Sequence, residues 1–149
     1  MSKIITFRGT VPIGTEKKLH LSTSDGLTGY RIRKFQIISK TPGTNNIELI
    51  GQVFKKSQEG NITGVVDFDR TNLIAVGFHV TQYGPQTDII FDTETFNQDI
   101  FVTMSDASGN TVPGNFYLEL EQFDLNVASS TYHTLKNIRS LTQKGFTVL

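Results

Sequence analysis

Alternating apolar residues place this chain in the mainly β class, as an antiparallel β-sandwich or jelly-roll-like body followed by one C-terminal α-helix. Three observations lead there. Apolar positions recur every second residue in short runs, the runs are parted by clusters of Gly, Asn, Asp, Ser and Thr, and beyond Asn126 the spacing changes to three and four. A chain of 149 residues is one domain in size, able to bury about two-thirds of its unfolded surface in a single core. Residues 1–125 are expected to form the body. Residues 126–149 are expected to form the helix and an apolar tail, packed on the body or on a neighbouring subunit.

In the first run Ile5 and Phe7 share a face, and in the next Leu19 and Leu21 share one, with Lys18 and His20 opposite. The run from Tyr30 to Ile38 breaks its own alternation. Tyr30 and Ile32 are even, Phe35 and Ile37 odd, so one face holds all four only if a bulge near Arg33 and Lys34 shifts the register. Thr41 to Asn46 reads as a turn, with Pro42 presetting φ and Gly43 tolerating a positive value. Between Ile47 and Phe54 both faces carry apolar residues, as in a central strand or a subunit contact. Ser57 to Asn61 reads as a hairpin loop, followed by a strand with Ile62, Val66 and Phe68 facing in and Asp67 and Asp69 facing out.

Leu73 to Val80 is the most apolar stretch and is expected at the centre of the core. Tyr83-Gly84-Pro85 turns the chain. Ile89 and Phe91 form a short strand, and Ile100, Val102 and Met104 form another that ends in the turn residues from Ser105 to Asn110. The last strand holds Phe116, Leu118 and Leu120 on one face and needs a second bulge near Gln122 to keep Phe123 and Leu125 inward. Asn126 then caps a helix whose stripe runs through Val127, Thr131, Leu135, Ile138 and Leu141. Lys136 and Arg139 suit the negative end of its dipole, and Gly145 is the stop.

Composition removes several chemistries. Hydrophobic residues at 37% and charged residues at 19% are those of a globular chain rather than a disordered one. No run approaches the roughly 20 apolar residues of a membrane helix, and the start, with Arg8 and Gly9 where an apolar core would continue, shows no secretory signal. With no Cys neither disulfides nor thiolate metal sites are available. The three histidines, His20, His79 and His133, form no HExxH and no close pair. No Gly-x-Ser-x-Gly elbow places a serine nucleophile, and Gly60 to Gly64 lacks the Lys of a phosphate loop. The expectation is a protein without catalysis and without a cofactor.

The net charge of zero hides a segregation. Residues 1–56 carry ten Lys and Arg against three acids, residues 57–125 carry Arg70 alone against eleven acids, and Lys136, Arg139 and Lys144 close the chain. If the two halves interleave, these charges pair locally; if they stay apart, the molecule has a positive and a negative side. Two acidic groups, Asp67 with Asp69 and Asp92 with Glu94, are weak candidates for a divalent cation, because paired carboxylates at strand ends can hold Ca²⁺. Arg31, Arg33 and Lys34 beside Tyr30 and Phe35 have the make-up of a strip for single-stranded nucleic acid, but the core explains the same aromatic residues better, so nucleic acid is not an expected partner. Tyr83, Tyr117 and Tyr132 could stack on sugars.

The closing strand Asn115-Phe116-Tyr117-Leu118-Glu119-Leu120-Glu121-Gln122-Phe123-Asp124, running into the helix from Asn126 to Leu141, and the Cys-free, Thr/Asn/Gly-rich β body together resemble the small structural proteins of tailed-bacteriophage virions, of the capsid decoration or cement kind. The resemblance implies a non-enzymatic homo-oligomer, made in the host cytoplasm and carried in the virion, that sits on or between major capsid proteins. Its contacts would involve Ile4, Ile5 and Phe7 in the first strand, Arg31 and Arg33, and the tail residues Phe146, Val148 and Leu149. The rival expectation is a β-sandwich binding module for glycans or for a cation-dependent ligand held by Asp67, Asp69, Asp92 and Glu94.

Overall fold

A computed structural model describes residues 2–43, 46–81, 86–91 and 94–126, and beyond these Ala128, Thr131, Tyr132, Thr134 and Leu135. The runs of alternating residues become the strands β1 (Lys3–Val11), β2 (Glu16–Leu19), β3 (Thr28–Ser39), β4 (Glu48–Phe54), β5 (Leu73–Val80), β6 (Gln86–Ile90), β7 (Thr95–Phe96), β8 (Ile100–Asp106) and β9 (Gly114–Asp124). They form two antiparallel sheets, one ordered β1-β9-β3-β7 and the other β2-β8-β4-β5-β6. Strands from both ends of the chain meet in the first sheet, where β1 pairs with β9 from Lys3 opposite Gln122 to Val11 opposite Gly114.

The core lies between the sheets. Phe35, Ile37, Leu118 and Leu120 from the first sheet pack on Leu49, Val53, Ile100, Val102 and Met104 from the second, all essentially without exposure. Gly51 and Gly77 face each other across β4 and β5, and a Cβ on Gly51 would lie 2.8 Å from Ile37 Cγ2. This pair of glycines is a notch for one isoleucine. A second apolar cluster, Phe54, Leu73 and Val76 with Phe91 against them, lies outside the sandwich. It explains why β4 is apolar on both faces: Phe54 and Gln52 face outward yet remain buried, and the Gln52 amide donates to the carbonyls of Thr63 and Val65 in the segment after β4.

The bulge expected in β3 is present, as a register shift between Ile32 and Lys34 against β9, and Tyr30, Ile32, Phe35 and Ile37 are all buried. The bulge expected near Gln122 is absent, for β9 runs without a shift there in either pairing. Phe123 and Leu125 instead lie over Gly29, where a Cβ would come within 2.7 Å of the Phe123 ring and 3.0 Å of Leu125. The missing side chain of Gly29 gives these two residues a place that needs no change of face.

The strand expected from Ile62 to Asp69 is also absent. Residues 55–72 form an irregular segment in which Val65, Val66 and Phe68 are exposed. Side-chain acceptors take the backbone donors that a strand would offer a neighbour: Thr63 Oγ1 accepts from the Val65 N–H at 3.2 Å and Asp67 Oδ1 from the Asp69 N–H at 3.0 Å. The two-residue strand β7 was not legible in the sequence. Most of the helix expected from Asn126 to Leu141, and all of the tail from Phe146 to Leu149, lie outside the described residues, and no helix stands among the described elements. No helix among the described residues is long and apolar enough to cross a membrane.

Candidate functional site

Because β9 lies between β1 and β3, the outer face of the first sheet is a ladder of three-residue rows. Arg8, Tyr117 and Gln36 form one row, Thr10, Asn115 and Ile38 the next, Thr6, Glu119 and Lys34 a third, and Ile4, Glu121 and Arg31 a fourth. The acids of β9 thus stand opposite bases of β3 on one side, Lys34 and Arg31, and opposite the uncharged Thr6 and Ile4 of β1 on the other. Arg31 meets Glu121 at 2.5 Å and Arg33 meets the same oxygen at 3.3 Å. The Arg31 hydrogen bond above all, with burial opposing it and the Arg31 charge, a Ser2 hydrogen bond and the Arg33 charge assisting, holds the Glu121 carboxyl below its ordinary pKa.

Every ion pair between described residues joins a base from residues 1–56 to an acid from residues 57–125: Lys18 and His20 with Asp99, Arg31 and Arg33 with Glu121, and Lys55 with Glu94. The two halves interleave, and these bases pair locally with acids of the other half. Asp99 has the strongest setting. Burial alone would raise its pKa, but the Ser22 and Leu21 N–H groups, the Ser22 side chain and Lys18 outweigh that and hold it at about 2. Its Oδ1 accepts from Leu21 N at 2.8 Å and from Ser22 N at 2.9 Å, so it fastens the chain leaving β2 to the start of β8.

The cation candidates do not converge. Asp67 is engaged in its turn with Asp69, Glu94 pairs with buried Lys55 at 3.4 Å, and Asp92 lies outside the described residues. No group of three His, Asp or Glu side chains that could hold a metal ion occurs among the described residues. Tyr30 and Phe35 are in the core, so the aromatic half of a nucleic-acid strip is missing from the surface. His79 faces the interior beside the β4 register partner Leu49. Its Nε2 is buried without a hydrogen-bond partner, and burial depresses its pKa.

Of the expected contact residues in β1, Ile5 and Phe7 pack against the core, while Ile4 is 53% exposed on the outer face. Arg31 and Arg33 are occupied by Glu121. Phe146, Val148 and Leu149 lie outside the described residues. Beside the paired arginines, the other end of the same face holds an open groove of about 650 Å³, lined by Arg8, Thr10, Gln36, Ile38, Asn115 and Tyr117 together with Gln86 of β6. The Gln86 amide donates to the Ile37 carbonyl at 3.2 Å, which ties the edge of the second sheet to the rim of the groove. Of these residues the sequence singled out Tyr117 alone. The others became visible only through the register of β1, β9 and β3.

No family model matches the chain, and no curated protein matches it. Among solved structures it is similar to a chain of the Bacillus endospore appendages, described as a novel family of disulfide-linked pili, with 8% identity over 85% of this chain and 88% of that one and a TM-score of 0.40. A likeness of this size carries no argument about what the protein does.

Proposed function

We propose that the protein is a non-enzymatic structural subunit that assembles through its sheet edge and decorates or cements the shell of a virus particle. The order β1-β9-β3-β7 opposite β2-β8-β4-β5 is the one that two Greek keys give when rolled into a jelly roll, with β6 added at the edge, and this architecture recurs in capsid proteins. The observation that carries the reading is the outer edge of β1. It is nine residues long, pairs with β9 on one side and has no strand on the other among the described residues. Lys3 and Arg8 stand near its ends, but Ile4-Ile5-Thr6-Phe7 between them is uncharged and free of Pro. Proteins that remain monomeric usually blunt such an edge, and an open one accepts another strand by backbone hydrogen bonding. The occupant in this reading is a second copy or a major capsid protein in the virion.

Light scattering after size exclusion tests this. The expected result is a discrete closed oligomer whose mass is unchanged between low and high salt, because the ion pairs described above lie within one chain. Thr6→Pro, which removes a backbone donor from the edge strand, is expected to lower the mass to that of the monomer. Ile4→Lys provides a check that leaves the backbone intact. A monomer at every concentration, with neither variant altering binding to a viral shell, overturns assembly through β1.

A further inference from the structure

We infer that the groove on the outer face of the first sheet is a binding site for a saccharide that carries a carboxylate, of the uronic or sialic acid type. The inference does not rest on the assembly reading above. The groove is built around the row Arg8, Tyr117 and Gln36. The Tyr117 hydroxyl donates to Glu119 Oε2 at 2.9 Å, two residues along on the same face of β9. A phenol tethered in that direction lies along its strand and turns one ring face outward, which makes a platform for the C–H face of a sugar ring.

The walls supply donors. Thr10 Oγ1 donates to Asn115 Oδ1 at 2.6 Å, which fixes that amide with its NH₂ group directed away from the bond and available to a ligand oxygen. Gln36 is exposed at the far side of the row. Two strand spacings, or ~10 Å, separate the backbones of Arg8 and Gln36, a gap that one pyranose ring with its substituents spans across Tyr117. Such planar donors match the vicinal hydroxyls of a sugar better than they match an apolar ligand.

Arg8 assigns the charge. Arg31 and Arg33 on the same face share the single carboxylate of Glu121, whereas Arg8 makes no ion pair or side-chain hydrogen bond with any described residue, and no carboxylate stands among the described residues lining the groove. A guanidinium beside a ring platform is suited to a bidentate pair with the carboxylate of a bound sugar. One cation in an amide-lined groove is too little for a nucleic-acid backbone, which needs several.

The test is titration of the full chain, followed by backbone amide NMR shifts, with sialyllactose, a glucuronic acid disaccharide and trigalacturonate, each beside its methyl ester. Saturable shifts confined to the Arg8, Gln36 and Asn115 ends of their strands are expected with at least one acid, and at least tenfold weaker binding of its ester. Arg8→Gln is expected to erase the preference for the acid, and Tyr117→Ala to weaken acid and ester alike. Both residues are at the surface, and an unchanged melting temperature verifies that each variant is folded. No saturable binding of any of the three acids, equal binding of acid and ester, or an unaltered preference in Arg8→Gln overturns the inference. Each of these outcomes leaves the light-scattering result for β1 unaffected.

Discussion

At the scale of single residues, Asp99 shows how one carboxylate can secure a connection that has no ladder of its own. Past Leu19 the chain is no longer paired with β8, and the Leu21 and Ser22 N–H groups donate to Asp99 instead. A carboxyl held at about 2 rather than the usual carboxylate range favours the folded state wherever it is ionised there and unfolding would let it bind a proton. Its contribution is therefore complete above the ordinary carboxylate pKa and is lost as pH falls toward 2. Asp99→Asn is expected to destabilise the protein by about 2 kcal/mol at pH 7. The gap between variant and wild type closes as pH is lowered to about 2, and urea unfolding at several pH values reads it directly. A gap that stays constant with pH would show that geometry, not charge, is what Asp99 provides.

At the scale of elements, the bulge in β3 makes a sharper prediction than any side chain. Removing Arg33 leaves Tyr30, Ile32, Phe35 and Ile37 in regular alternation, because the residue deleted is the one that broke it. The deletion is expected to cost the Arg33 to Glu121 contact, half exposed and therefore small, together with local relaxation of the strand. Removing Gln36 instead shifts Ile37 to the outer face, brings Ile38 to the Gly51 notch and carries Lys40 to the buried position of Ser39, where its charge has no water. Thermal melts should show deletion of Arg33 folded with a modestly lower midpoint and deletion of Gln36 without a cooperative transition. Equal damage from both deletions would mean that the bulge is required for more than its register.

At the scale of the molecule, the first sheet is closed by its last strand. Lys3 pairs with Gln122 and Thr28 with Asp124, so β9 must arrive before either β1 or most of β3 has a partner. Contacts so distant in sequence require closure of long loops before they are rewarded, and refolding is expected on the millisecond to second scale rather than in microseconds. Stopped-flow refolding from urea checks this. The same topology places the open edge of β1 next to β9, and the groove beside it on the outer face, so that assembly at the edge and ligand at the face can be tested by separate variants.

Reading the sequence alone determined much of the strand content. Alternation with period two is a local property, and it located β1, β3, β4, β5, β8 and β9 and the β3 bulge, because Tyr30 and Ile32 conflict with Phe35 and Ile37 within one short run. It failed where local polarity was satisfied by something distant or by the chain itself. Phe123 and Leu125 needed no bulge because Gly29 of another strand makes room for them, and Val66 and Phe68 formed no strand because Thr63 and Asp67 capture the nearby N–H groups. The charge segregation was visible in the sequence, but only the tertiary structure decided that Lys18, His20, Arg31, Arg33 and Lys55 of the basic half meet Asp99, Glu121 and Glu94 of the acidic half. The groove was the least legible feature, since Arg8, Gln36 and Tyr117 are brought into one row by strand register, and register is a property of pairing between segments distant in sequence rather than of any segment read by itself.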